Sequence, residues 1–224
     1  MPDTIGVGDA LQYDSDNNGS IDKVVFIHGR TSSTVYTVKT NTGAAPTATS
    51  ADDQDWSIFR AYTALSSWVS VTENTGIAAG VRNFDTAIRN LVTNNEVWNI
   101  AFYRSSNDEA SVFITDGWVT DSTRYVRIYA PYATSEVGTT QRHNGTETQP
   151  YARLNSFVGL TDAGTDKVKC FRFEGLVSRM EATNCANFQI SDALSGSKIY
   201  FDDMVLYGRN GSGCAGSRGR TRSR

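Results

Sequence analysis

The sequence predicts a mainly β fold: a small β-hairpin module, then amphipathic helices, then a solenoid of short stacked strands. Three observations lead there. Ser, Thr, Asn and Gly make up 81 of the 224 residues, against 4 Pro and 5 Lys. A helical bundle wants Ala, Leu, Glu and Lys instead. From residue 96 onward, β-branched and aromatic runs alternate with turn clusters and no crossover helix intervenes, which argues against a doubly wound α/β sheet. Finally, Phe171-Arg172-Phe173-Glu174-Gly175-Leu176 is echoed 29 residues later by Tyr200-Phe201-Asp202-Asp203-Met204-Val205, a period in the range of solenoid repeats.

The elements follow in order. Leu11-Gln12-Tyr13 reads as a short strand and residues 14–22 as a polar loop. Lys23-Val24-Val25-Phe26-Ile27-His28 reads as a stronger strand closed by Gly29, and Thr34-Val35-Tyr36-Thr37-Val38 as a third. These compose a hairpin module over residues 1–40. Residues 41–55, rich in Thr, Ala, Gly and Asp, read as a linker. Residues 56–208 then hold the helices and the stacked strands.

Tyr62, Leu65, Trp68 and Val69 recur at helical spacing and predict a helix over 61–70. Ile77, Val81, Phe84, Ile88, Leu91 and Val92 predict a second over 77–92, capped by Asn74 or Thr75, with Arg82, Asn83, Asp85, Arg89 and Asn90 on its polar face. Leu65, Trp68, Val81, Ile88 and Leu91 are expected in the core. A solenoid leaves an apolar end with unpaired strand edges, and helices placed before the first strands can cover that end. Strands are expected over 97–103, 111–114, 125–130, 168–173, 188–190 and 198–206, paired in parallel from one turn of the solenoid to the next.

Charge and cysteine usage narrow the function classes. The formal net charge is −3, but residues 209–224 hold five Arg and no acid, so the remaining body carries −8. An acidic body does not suggest nucleic acid as a partner, and the Arg/Gly/Ser tail reads as disordered. Cys170, Cys185 and Cys214 form neither a CxxC zinc pattern nor an even disulfide set and read as free thiols. No apolar run approaches the ~18 residues of a membrane span. The opening MPDTIGVGDA shows no secretory signal.

Tyr62-Thr63-Ala64-Leu65-Ser66-Ser67-Trp68, Leu91-Val92 and Val97-Trp98-Asn99-Ile100-Ala101-Phe102-Tyr103 resemble the opening of right-handed parallel β-helix proteins. So does the run from Asp121 to Ala130, followed by Gln141-Arg142-His143-Asn144-Gly145. The resemblance covers residues 56–206. It implies a pectate-lyase-like β-helix with a helical cap, of the kind found in bacterial surface proteins and phage structural proteins. Few turns are visible, so the chain reads as the N-terminal part of a longer coil, open to further rungs or an oligomer partner.

The sharpest chemical motif is Asp14-Ser15-Asp16-Asn17-Asn18-Gly19-Ser20-Ile21-Asp22. It fits the first nine positions of a calcium loop, with Asp14, Asp16, Asn18, the Ser20 carbonyl and Asp22 as ligands and Gly19 at the bend. The twelfth position is Val25 rather than a bidentate Glu, so an EF-hand is not expected. The loop resembles those that join two strands in integrin-type propeller repeats. Three carboxylates and no twelfth-position Glu imply an affinity of about 10⁻⁴ M, suited to an extracellular setting.

Other groups lack a convergent arrangement. His28 and His143 have no nucleophile elbow to serve. Asp202-Asp203, with Asp162, Asp166 and Glu174, offer carboxylates to a solenoid groove, but Asp202 and Asp203 are adjacent, so on a strand they point to opposite faces and cannot act jointly unless a bulge intervenes. Trp56, Trp68, Trp98 and Trp118 read first as core and second as platforms for sugar rings. The expectation is a non-enzymatic surface or virion protein for adhesion, display or glycan recognition. A polysaccharide lyase or glycoside hydrolase of the same fold is the alternative.

Overall fold

The computed structural model describes residues 1–49, 55–85, 89–104, 112–114, 117–146, 151–154, 158–160, 170–179, 187–190 and 197–207. Ile88, Asp162, Asp166, Cys185, Cys214 and the Arg-rich tail lie outside them. Of the described residues, 38% are in strands and 6% in helices, so the protein is mainly β. The chain divides into two compact units, one of Met1–Ala87 with Tyr132–Thr140, the other of Ile88–Pro131 with Gln141–Arg224.

The first unit is built on an antiparallel sheet. Its strands are β1 (Asp9–Tyr13), β2 (Lys23–Arg30), β3 (Tyr36–Lys39) and β4 (Trp56–Arg60), in the order β3-β2-β1-β4. Ala10 pairs with Phe26 on one side and Phe59 on the other. One face therefore carries Ala10, Phe26 and Phe59, and Ile77, Val81 and Phe84 pack on it. The register of β2 on β3 slips between Ile27 and Gly29. His28 sits at that bulge, exposed to solvent. Residues 56–60, expected to open the cap, instead form the edge strand on β1. Within this unit the segment Tyr132–Thr140 clasps the N-terminus: Val7 N–H donates to Glu136 O at 2.9 Å, Arg30 N–H to Ser135 O at 2.7 Å and Thr139 N–H to Asp3 O at 2.8 Å.

The helices depart from expectation. α1 (Leu65–Val69) is one short helix that buries Leu65 and Trp68. Among the described residues of the predicted helix over 77–92, only the last coil, as α2 (Leu91–Asn94) in the second unit. No helical cap is present among the described residues. The reason is local. Both carboxylate oxygens of Glu73 accept backbone N–H groups, from Asn83 at 2.5 Å and Asp85 at 2.8 Å, and Ala78 N–H goes to the Gln12 side chain at 2.6 Å. These donors are thereby taken out of any helical ladder. Asn83 adopts a left-handed φ of 76°, which a continuous helix excludes. The apolar period survives as packing: Ile77 and Val81 are buried against the sheet, and Leu91 is fully buried in its own unit.

The second unit holds β5 (Trp98–Ala101), β6 (Val112–Ile114), β7 (Val126–Tyr129), β8 (Arg153–Leu154), β9 (Val158–Leu160), β10 (Cys170–Glu174) and β11 (Val177–Arg179). β12 (Phe188–Ile190), β13 (Lys198–Asp202) and β14 (Val205–Tyr207) complete it. They form three parallel sheets, ordered β13-β10-β7-β5, β14-β11-β8 and β12-β9-β6. Two complete passes, β7-β8-β9 and β10-β11-β12, each add one strand to each sheet in the same sequence. The repeat seen in the sequence pairs one residue out of step with expectation. Phe171 lies beside Ile199 and Phe173 beside Phe201, a step of 28 rather than 29. A one-residue slip exchanges the two faces of a strand, so this register decides which residues enter the core. Val126, Ile128, Phe171 and Phe173 point inward and are fully buried.

Candidate functional sites in the acidic loop and on the parallel sheet

The loop between β1 and β2 folds around the Asp14 carboxylate. Left-handed backbone at Asn17 (φ 60°) and Gly19 (φ 82°) turns the chain back on itself, and only residues tolerant of αL fit there. Asp14 Oδ1 then accepts N–H groups from Asp16 at 3.0 Å and Asn17 at 2.8 Å. Its Oδ2 accepts from Gly19 at 2.6 Å and Ser20 at 3.1 Å. Ser20 N–H is shared with Asn18 Oδ1 at 2.9 Å, and the Asp16 side chain is a further hydrogen-bonding neighbour of Asp14. Burial works against the Asp14 charge, yet the backbone donors outweigh it and hold the carboxyl below its ordinary range.

Asp22 turns the other way. It accepts from Lys23 Nζ at 2.5 Å, from Ser15 N–H at 2.8 Å and from Ser15 Oγ at 2.8 Å. The Lys23 hydrogen bond, followed by those of Ser15, lowers its carboxyl to about 2. Of the five expected calcium ligands, the structure therefore brings Asp14 and Asn18 together on the Ser20 amide, with the Asp16 side chain beside Asp14, while Asp22 faces Ser15 and Lys23. Among the described residues no three His, Cys, Asp or Glu side chains stand in metal-holding geometry. As donors these residues suit a hard cation, being carboxylate and amide oxygens. A cation there must compete with four backbone N–H groups for Asp14.

A second arrangement emerges on the outward face of the β5–β7–β10–β13 sheet, and no sequence motif announces it. Alternation along the strands sends Arg127, Arg172, Glu174 and Tyr200 to the face opposite the core. Arg127 donates to Glu174 Oε2 from Nε at 2.7 Å and from Nη2 at 2.5 Å, and its guanidinium carbon lies 3.9 Å from the Tyr129 ring centroid. The Arg172 guanidinium carbon lies 3.8 Å from the Tyr125 centroid and 5.2 Å from that of Tyr200. Among the described residues no carboxylate pairs with Arg172.

The remaining expected groups are structural or separate. Glu174 is held by Arg127. Asp202 ends β13, and Asp203 follows it in a left-handed turn with φ 47°. His143 Nδ1 accepts from Gly145 N–H at 3.1 Å, so Nε2 is its donor, to Asp203 O at 2.6 Å. Trp68 and Trp118 are buried. Trp98 packs edge-on to Trp118, with Arg89 about 5 Å from each ring. Trp56 is 46% exposed.

Comparisons with protein-family models, with curated proteins and with solved structures returned no match.

Proposed function

We propose that this is a non-enzymatic surface or virion protein, a right-handed parallel β-helix that recognises glycans on the outward face of its four-stranded parallel sheet. The β-helix reading is supported by two successive complete passes, β7-β8-β9 and β10-β11-β12, that each add one strand to each parallel sheet, and the hand by the near-universal right-handedness of parallel crossovers. The observation that carries the glycan reading is the grouping of Tyr125 and the exposed Tyr200 with Arg127 and Arg172 on that face. Aromatic rings offer flat apolar platforms to sugar faces, and guanidinium N–H groups beside them offer donors to sugar oxygens. Adhesion or display at a cell or virion surface follows from such a role, and an extracellular location with it.

A glycan array probed with the purified chain tests the reading. Binding to a defined set of glycans, without shortening them, is the expected result. Cleavage of a polysaccharide with no retained binding overturns it in favour of a lyase or hydrolase.

A calcium role for residues 14–22 stands beside it, favoured by Asp14 and Asn18 sharing the Ser20 amide with the Asp16 side chain beside Asp14. Calcium would supply charge neutralisation and fix the loop, adding stability that rises with its concentration. Isothermal calorimetry on the wild type and Asp16→Ala is the test: a Kd of about 10⁻⁴ M lost in the variant is expected, and equal heats refute it.

A further inference from the structure

We infer that Arg172 is the anchor for an oxyanion carried by a sugar, a carboxylate or a sulfate ester, on the outward face of the β5–β7–β10–β13 sheet; this rests on the glycan reading above and gives it a ligand class.

The argument compares two arginines that lie side by side. Arg127 and Arg172 are register partners on neighbouring strands. They share one face and one kind of aromatic contact, yet among the described residues only Arg127 has its charge met, by Glu174. Arg172 is flanked by tyrosines from the passes on either side, Tyr125 just before β7 and Tyr200 on β13. Contact with a ring face engages the flat side of a guanidinium and fixes its plane. Such contact uses the faces of the guanidinium and leaves the five N–H donors on its edge for other acceptors. A pre-positioned, unpaired fork of donors is what a planar or tetrahedral oxyanion accepts in bidentate fashion.

The charged neighbours agree. Glu174 is already committed to Arg127. Asp202 lies two residues along β13 from Tyr200, roughly 7 Å away at the usual strand rise. On the other side of Tyr200, Lys198 is exposed and adds a positive charge on the same face. Tyr200 is itself 49% exposed, so the ring next to the guanidinium is open to a sugar.

The test uses three oligosaccharide series of equal length, one neutral, one bearing uronic acids and one sulfated, titrated calorimetrically against the whole chain. The wild type is expected to bind an acidic series more tightly than the neutral one, and the two acidic arms separate carboxylate from sulfate. Arg172→Met should weaken acidic binding roughly 10- to 100-fold, the worth of charge-assisted hydrogen bonds, and leave neutral binding unchanged. Tyr200→Ala alters an exposed residue and keeps the arginine, so it tests the clamp even where Arg172→Met fails to fold; a loss of acidic preference is expected there too. Equal binding of acidic and neutral series by the wild type overturns the anchor and leaves the glycan reading standing. So does an unchanged acidic affinity in a folded Arg172→Met. Failure to bind any series sinks the glycan reading itself.

Discussion

Phe173 and Phe201 stack face to face across adjacent parallel strands, their centroids 5.6 Å apart and their planes 16° apart. Phe188 sits edge-on to both, at 4.9 and 4.7 Å. Phe173 is fully buried and Phe201 is 38% exposed. Truncating the two should therefore differ in cost. Phe173→Ala is expected to destabilise the second unit by about 3–5 kcal/mol, as for a fully buried aromatic. Phe201→Ala should cost clearly less. Chemical denaturation of both variants checks this, and equal losses would count against the inward register.

Gly175 separates β10 from β11 with φ 70°, and a Cβ placed there would collide with the Arg142 side chain. Gly175→Ala combines a left-handed backbone cost of about 1–2 kcal/mol with displacement of Arg142, whose Nη1 lies 3.4 Å from Asp203 Oδ2. A lowered melting temperature is expected. A variant as stable as the wild type would show that the turn relaxes freely.

The acidic loop should loosen in acid. Asp22 titrates at about 2 in the folded protein, below its ordinary value near 4. A carboxyl with a depressed folded pKa stabilises fully above its unfolded pKa and loses that contribution as pH falls through the folded one. The window is therefore from about pH 4 down to about pH 2. Protection of the Ser15 amide, whose N–H donates to Asp22, should fall across it once the intrinsic pH dependence of exchange is divided out. In Asp22→Asn that protection should be low already at pH 5 and change little below, and a wild-type profile in that variant would disprove the assignment.

Cys170 is 2% exposed, and burial pushes its thiol pKa up. It should resist alkylation in the native protein and react once the protein is unfolded, because the thiolate is the reactive form. Peptide-level mass spectrometry after iodoacetamide labelling distinguishes it from the other two cysteines. Rapid native labelling of Cys170 would contradict its place beside Thr120, whose Oγ1 accepts the Cys170 N–H at 2.8 Å.

What could be read from the residues alone follows from how each element is encoded. Lys23–Arg30 and Cys170–Glu174 carry dense β-branched or aromatic runs, and both form strands. Arg153–Leu154, Val158–Leu160 and Val177–Arg179 are two or three residues long, too short for alternation to register. The expected strand over 198–206 is two strands, because Asp203 turns left-handed between them. Residues 77–92 carry a true apolar period, but Glu73 and Asn83 redirect the backbone, so the period reports burial and not helix. The acidic loop is legible because its residues are contiguous. Arg172, Tyr125 and Tyr200 come from three distant stretches, and only the parallel register brings them together.

The clasp formed by Tyr132–Thr140 also sets a timetable for biosynthesis. The last strand of the first sheet ends at Arg60, yet the bond from Thr139 to Asp3 cannot form until about eighty further residues have been made. At ~5–20 residues per second that interval is about 4–16 s. Within it β5 and β7 of the second unit are synthesised as well. The sheet of the first unit is thus translated well before the clasp that completes it, and a nascent chain stalled before residue 140 should leave residues 3–7 open to protease.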